Sequence, residues 1–300
     1  MINAELVWSS AARGTLLECP VWCAQTQSLY WIDVVEPSVH GYGFGDGRAR
    51  RWALPRPPGC IALTSRPGIL LVAMRNGLAE LELATGELTR LALSGDDLLD
   101  DRFNDGAVDP FGVFWIGSMD RKLKQPSGRL FRIEADLRSQ AVPIAAVLAN
   151  GLCFDADGRR AYLAKTFERE IHVLDIAQPG SRLAASRRWA SLDGDPGRPD
   201  GATVSADGCL WSARVGGGRI DRYGADGRLL DCLRVHASHP THCAFGGPEL
   251  TTLFVTTSRY GPEFAAVPSH DGYDGRVLAY RLAHAGRLPA RFGEAFPSHA

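Results

Sequence analysis

No stretch of this 300-residue chain approaches the roughly 18 consecutive apolar residues of a membrane-spanning helix, so no membrane partner is expected. The N-terminus, MINAELVWSSAARG, has neither a basic start nor a continuous apolar core and does not read as a signal peptide. Lys/Arg runs longer than a pair are missing outside short turns, and the formal net charge is −1 with a pI near 6.7. A nucleic-acid partner needs a basic footprint, which this composition lacks. Long 3.6-residue apolar periodicity is also absent; SGDDLLDDRF (94–103) has room for one turn of helix at most. No Gly-rich loop precedes a helix, which removes the usual phosphate cradle, and VGGGR (215–219) reads as a hairpin turn. There is no G-x-S-x-G elbow for a serine nucleophile.

The cysteines offer no disulfide or zinc framework. Cys19, Cys23, Cys60, Cys153, Cys209, Cys232 and Cys243 are odd in number and scattered, which reads as reduced thiols in a cytoplasmic protein. Cys153 and Cys209 fall in apolar strand contexts, as small core residues do. Cys19 and Cys23 lack the second pair that a zinc site needs. His236, His239 and His242 match no regular ligand spacing on a strand, and Pro240 breaks the segment, so they read as incidental loop histidines. His242 alone stands at a strand start from which it can face inward.

What is present is a repeat. Its units start at Glu18 (LLECPVW), Gly59 (PPGCIAL), Asn104 (RFNDGAVD), Asn150 (LANGLCFD), Asp200 (GRPDGATV) and His242 (PTHCAFGG), at steps of 41, 45, 46, 50 and 42 residues. Most starts lead into an apolar run, a turn and a β-rich strand: LYWIDV, ILLVAM, VFWIGSM, AYLAKT, CLWSAR and LFVTTS. A further strand follows each, as in VHGYGF and RLFRIE. Asp-Gly turns separate them at 46–48, 155–159, 205–208 and 224–228, where tight hairpins require positive φ angles. A period in the forties with about four strands per unit is the signature of a β-propeller. The expectation is an all-β, six-bladed propeller with four-stranded blades, one domain over residues 1–300. ELVWSS (5–10) has no other partner and is assigned as the outer strand of the last blade, closing the ring. Trp31, Trp115 and Trp211 on the second strands are expected between blades.

In a propeller the innermost strands line a central channel, so equivalent residues at the strand starts converge there. Glu18, Asn150 and Asp200 form an all-oxygen set suited to a hard divalent cation such as Ca²⁺, Mg²⁺ or Mn²⁺, with open positions for water and substrate. Each residue alone is also an ordinary turn former. Their common register across blades favours the metal reading.

LLECPVW, RFNDGAVD, ANGLCF, GRPDG and CAFGGPELTTLFVTTS, in this order and at blade spacing, resemble the signature stretches of the SMP-30/gluconolactonase/regucalcin family over nearly the whole chain. The resemblance implies a six-bladed propeller holding one divalent metal (Ca, Mg, Mn, Zn or Fe(II)) on Glu18, Asn150 and Asp200. It also implies that Arg102 and Asn104 bind a small-molecule sugar lactone. The metal would polarise the lactone carbonyl and Asp200 would act as general base. A calcium-binding regulator or scaffold, and hydrolysis of other esters or organophosphates, are the alternative functions. The oligomeric state is left open.

Three positions depart from the family pattern. Cys19 replaces the usual Gly after the Glu, which implies that positive φ is not required there. Lys165 (AYLAKT) and Lys122, after GSMDR, stand where relatives carry acids. These two lysines raise the expectation of an acidic substrate, an aldarolactone in place of a neutral aldonolactone such as gluconolactone.

Overall fold

The computed structural model describes residues 1–75, 77–95, 102–120, 122–177, 183–261 and 272–294. The chain forms a six-bladed β-propeller, without helices among the described residues. Blade one comprises Leu17–Cys23, Ser28–Asp33, Ser38–Gly43 and Arg48–Ala53, paired antiparallel in that order from the axis outward. The inner strands of blades two to six are Pro58–Leu63, Arg102–Val108, Ala149–Phe154, Arg198–Val204 and Pro240–Gly246. No described helix is long and apolar enough to cross a membrane.

Burial explains the sequence pattern. The second strands Ser28–Asp33, Phe114–Met119 and Leu210–Val215 are buried along their whole length, because neighbouring blades cover both faces. They therefore read as mostly apolar runs without in/out alternation, with a few buried polar residues such as Ser118 and Arg214. The outer strand Arg48–Ala53 is largely exposed and correspondingly Arg-rich. The hairpins turn as their Asp-Gly pairs demand: Gly47 and Gly227 adopt φ of 68° and 83°. Ahead of them, Asp46 and Asp226 Oδ1 accept the N–H of Arg48 and Arg228 at 3.0 and 3.1 Å.

The core lies between blades. Trp115 packs with Leu152, Phe154 and Ala161 of the next blade, and its Nε1 donates to Asp109 Oδ2 at 2.9 Å. Trp211 packs with Cys243 and Phe245 and donates to Ser205 Oγ at 3.0 Å. Burying one such aromatic contributes about 2–3 kcal/mol. Trp31 is buried as well and stacks on His40.

Glu5–Ser9 pairs antiparallel with Val277–Arg281 as the outer strand of blade six, so the two ends of the chain share one sheet. Trp8 from this strand reaches over to Tyr42 and Phe44 of blade one, with ring centroids 4.9 and 5.2 Å apart. One blade departs from the four-strand plan: Ser94–Gly95 adds to the outside of blade three, parallel to Arg138–Ala146. The rest of the helical turn expected near there falls mostly outside the described residues. Beyond blade six, the chain crosses the ring at the ends of the inner strands. Ala285 O accepts from Ala206 N–H, Arg287 donates to Phe154 O, and Phe292 N–H donates to Leu63 O, at 2.9 Å each.

Deleting residues 1–9 should open the ring at blade six and expose the edge of Val277–Arg281. The expected result is a melting temperature lowered by more than about 5 °C, with broader unfolding. A truncated chain that melts with the full-length protein would show that the ring closes without this strand.

Candidate functional site

Every inner strand carries a β-bulge near its start. The pairing register shifts between Glu18 and Val21, Pro58 and Cys60, Phe103 and Gly106, Asn150 and Cys153, Pro199 and Ala202, and Pro240 and His242. A bulge re-aims side chains that simple alternation would send to opposite faces. As a result two consecutive residues, Asn104 and Asp105, both face the ring centre, where each touches groups from other blades. The bulge in blade one also puts Cys19 at φ 53°. This corrects the expectation drawn from the missing glycine: positive φ is required at that position, and a cysteine adopts it at a cost of about 1–2 kcal/mol. Gly151 follows Asn150 at φ 59°, and a Cβ there would lie 2.6 Å from Asp200 O. Only glycine lets blades four and five approach so closely.

A hydrogen-bonded chain orders the middle of the site. Asn104 Nδ2 donates to Ala149 O at 3.0 Å and to Asn150 Oδ1. Asn150 Nδ2 in turn donates to Thr166 Oγ1 at 2.9 Å, and Thr166 Oγ1 donates to Pro199 O at 2.9 Å. This run across blades three, four and five fixes the Asn150 amide with its oxygen turned to Asn104. Among the described residues, Glu18 Oε2 accepts only the Cys19 N–H, at 3.3 Å.

The electrostatics are frustrated. Asn150 and Asp200 are 5% and 7% exposed, and Asp200 Oδ1 has no hydrogen-bond partner among the described residues. Burial, then the charges of Asp200 and Asp105, push the Glu18 carboxyl well above the usual carboxylate range. Burial pushes Asp200 up to about 8; Asp105 adds to this, while His242 and the Gly201 N–H oppose it. His242 is buried 3.4 Å from Asp105, so it does face the channel. Burial alone would lower its pKa, yet Asp105, the Cys243 carbonyl and Asp200 together raise it. Buried carboxylates with an orphaned oxygen and an oriented amide oxygen are a donor set that fits a hard divalent cation, whose charge would relieve their mutual repulsion.

The remaining expected residues surround this centre at the same end of the ring. Arg102 starts the inner strand of blade three and pairs with Met119; its guanidinium pKa is lowered by burial and by the charge of Arg75. Lys165 is half-buried and pairs with Ala149, the residue before Asn150. Lys122 is exposed in the turn that follows Met119, a turn organised by Asp120 accepting the N–H groups of Lys124 and Gln125. Among the described residues, neither lysine forms a hydrogen bond or ion pair with Glu18, Asn150 or Asp200. Asp105, Thr166 and Cys19 were not among the expected site residues. For Asp105 the only signal was its place beside Asn104. His236 and His239 do not join His242; His236 stacks on Tyr280.

Residues 16–259 match the profile of the SMP-30/Gluconolactonase/LRE-like region. The chain is 38% identical over 250 residues to a 6-deoxy-6-sulfogluconolactonase of Pseudomonas putida, covering 82% of this chain and 84% of that protein. It is 36% identical over 284 residues to the L-arabinolactonase of Azospirillum brasilense, covering 93% of each. Its fold superimposes on the crystal structure of a calcium-binding protein, regucalcin, from Agrobacterium tumefaciens with a TM-score of 0.85, 25% identity and 98% coverage of both chains.

A pH dependence follows from the raised carboxyls. The cation-free folded chain holds more protons than the unfolded chain between the ordinary carboxylate range and about 8, so its stability falls as pH rises through that window. The raised His242 pKa acts in the same direction, its contribution being lost as pH rises. Chelated protein should therefore melt lower at pH 8 than at pH 6, and added Ca²⁺ or Mn²⁺ should narrow the difference. Equal melting at both pH values would count against this charge frustration.

Proposed function

Because the chain belongs to the SMP-30/Gluconolactonase/LRE-like family, we propose that it is a sugar lactone lactonase with Glu18, Asn150 and Asp200 as the ligands of one divalent cation. The observation that carries this is the convergence of a half-buried carboxylate, a buried carboxylate and an oriented amide at one end of the channel, with Asp200 Oδ1 unpartnered among the described residues. When bound, such a cation supplies Lewis-acid polarisation of an ester carbonyl. All-oxygen donors favour Ca²⁺, Mg²⁺ or Mn²⁺ over softer ions.

The side chains divide the remaining work. Asp200 Oδ1 accepts a proton from the water that adds to the lactone carbonyl carbon. The ring C–O bond then breaks, the ring oxygen takes up a proton, and the open-chain sugar acid leaves. Asn104 holds the Asn150 amide in place through Nδ2, which leaves its own amide oxygen to accept from a sugar hydroxyl. Arg102 orients the ring from the channel rim. The substrate is a small molecule, and we place the reaction in the cytoplasm, whose reducing chemistry keeps the seven cysteines as thiols.

The rim also bears on substrate charge. Arg75, Arg102, Lys122 and Lys165 all occupy this end of the ring, and no carboxylate ion-pairs with them among the described residues. An anionic group on the lactone supplies the missing partner. The two lactonase relatives differ on this point, since the name of one includes a sulfo group and that of the other does not.

Two experiments test these readings. With each divalent metal restored after chelation, Asp200→Ala and Glu18→Gln should lose at least about a hundredfold in turnover across a panel of aldono- and aldarolactones while remaining folded. Near-normal turnover by Asp200→Ala would overturn the mechanism. The ratio of kcat/KM for an acidic over a neutral lactone should fall several-fold in Lys165→Ala or Lys122→Ala, since one partly screened contact is worth about 1 kcal/mol. An unchanged ratio in both variants would leave neutral lactones as the substrate.

A further inference from the structure

Below the oxygen site a second group of donors meets, and none of them is used by the proposed hydrolysis. Cys19 Sγ, an Asp105 carboxylate oxygen and a His242 ring nitrogen lie within 4.8 Å of one another, all buried; Glu18 and Asp200 are not part of this set. Cys19 Sγ is 3.7 Å from Asp105 Oδ1, and His242 Nε2 is 3.4 Å from the same oxygen. Bond lengths to zinc of about 2.3 Å from sulfur and about 2.0–2.1 Å from nitrogen or oxygen give tetrahedral edges of about 3.5–3.6 Å and about 3.3–3.4 Å. The 3.4 Å spacing matches the nitrogen–oxygen edge, and the 3.7 Å spacing lies just beyond the sulfur–oxygen edge.

The hydrogen bonding calls for a cation at this point. His242 Nδ1 must donate to Cys243 O, 3.1 Å away, because a carbonyl only accepts. In the neutral ring Nε2 then carries a lone pair aimed at a carboxylate. Two acceptors face each other, and either a proton or a metal has to lie between them. A backbone carbonyl on the far nitrogen is the usual support of a metal-binding histidine. The set is also held rigidly: Asp105 Oδ1 accepts from Gly106 N–H at 2.8 Å and Oδ2 from Leu152 N–H at 3.1 Å. A Cβ on Gly201 would collide with the His242 ring, so only glycine there lets the ring lie where it does. A cavity of about 530 Å³, lined by Cys19 and His242 and reaching the crossing segment 286–290, gives an ion a route in from the opposite end of the channel.

We propose that Cys19, Asp105 and His242 form a second cation site for a thiophilic divalent metal of the Zn²⁺ class, distinct from Glu18, Asn150 and Asp200. Sulfur and imidazole donors select such ions over the hard cations that suit the oxygen site. Binding replaces the Cys19 thiol proton, which leaves to solvent. The site ties together the inner strands of blades one, three and six, and sets positive charge beneath Asp200.

Cobalt distinguishes the two sites, because only a thiolate ligand gives sulfur-to-cobalt charge-transfer absorption in the near ultraviolet. Metal-free full-length protein titrated with Co²⁺ should bind two equivalents and develop that absorption together with strong four-coordinate visible bands. Cys19→Ser and His242→Gln should each lose most of the charge-transfer intensity and one equivalent of metal, whereas Glu18→Gln should lose one equivalent and keep the absorption. Circular-dichroism melts of the metal-free variants separate a lost site from a lost fold. No charge-transfer absorption in the parent at saturating Co²⁺, or undiminished absorption in both folded channel variants, would overturn the proposal and leave an imidazolium–carboxylate pair at this point.

Discussion

Pairing of Glu5–Ser9 with Val277–Arg281 turns a row of sheets into a ring, and everything else about this molecule depends on that closure. A ring has one axis, and six inner strands that start at the same height deliver their first residues to it. Without closure, Glu18 of blade one and His242 of blade six would sit at opposite ends of an open arc. With it, Thr241 Oγ1 donates to the carbonyl of Leu17 across the seam at 2.5 Å. The aromatic cover of Trp8 over Tyr42 and Phe44 serves the same seam from outside.

The axis that closure creates is a difficult place for charge. Glu18, Asp105 and Asp200 are brought together with little water, and burial is the largest influence on the pKa of both Glu18 and Asp200. The chain's own compensation is modest: His242 beside Asp105, and the N–H groups of Gly106, Leu152 and Gly201. Hydrogen-bond donors of this kind lower a carboxyl pKa, but here they leave Asp200 at about 8 and one of its oxygens unpartnered. A buried cluster of this sort persists in a folded protein when something positive offsets it. This charge frustration is what the proposed reading rests on, with cations offsetting the carboxylates and Arg102 on the rim meeting an oxygen-rich substrate.

The channel changes character along its length. Oxygen donors and oriented amides occupy the starts of the inner strands, sulfur and imidazole lie one residue further in, and apolar side chains such as Ile61, Val108 and Phe154 line the cavity beyond. The crossing segment 285–293 spans that far end through backbone hydrogen bonds to inner-strand ends and turns of several blades. Arg75 and Lys122, just beyond the ends of second strands, and Lys165, the last residue of one, lie at the end that carries the oxygen donors.

Much of this was legible in the residues themselves. The 41-to-50-residue period, the Asp-Gly turns and the mostly apolar second strands specify six blades, because turn conformation and strand burial are encoded by neighbours in the chain. Glu18, Asn104, Asn150 and Asp200 could be picked out because they recur at equivalent points of that repeat. Cys19 and Asp105 could not, since alternation along a strand assigns the neighbour of a channel-facing residue to the other face. The bulges at Glu18/Val21 and Phe103/Gly106 overrule alternation, and they arise from fitting six twisted strands around one axis. Sequence by itself determined the blades, their order and the oxygen donors at their starts. Only the tertiary structure decided that Cys19 and Asp105, 86 residues apart, would meet beside His242, because that contact is made by closure of the ring and by no local preference of the chain.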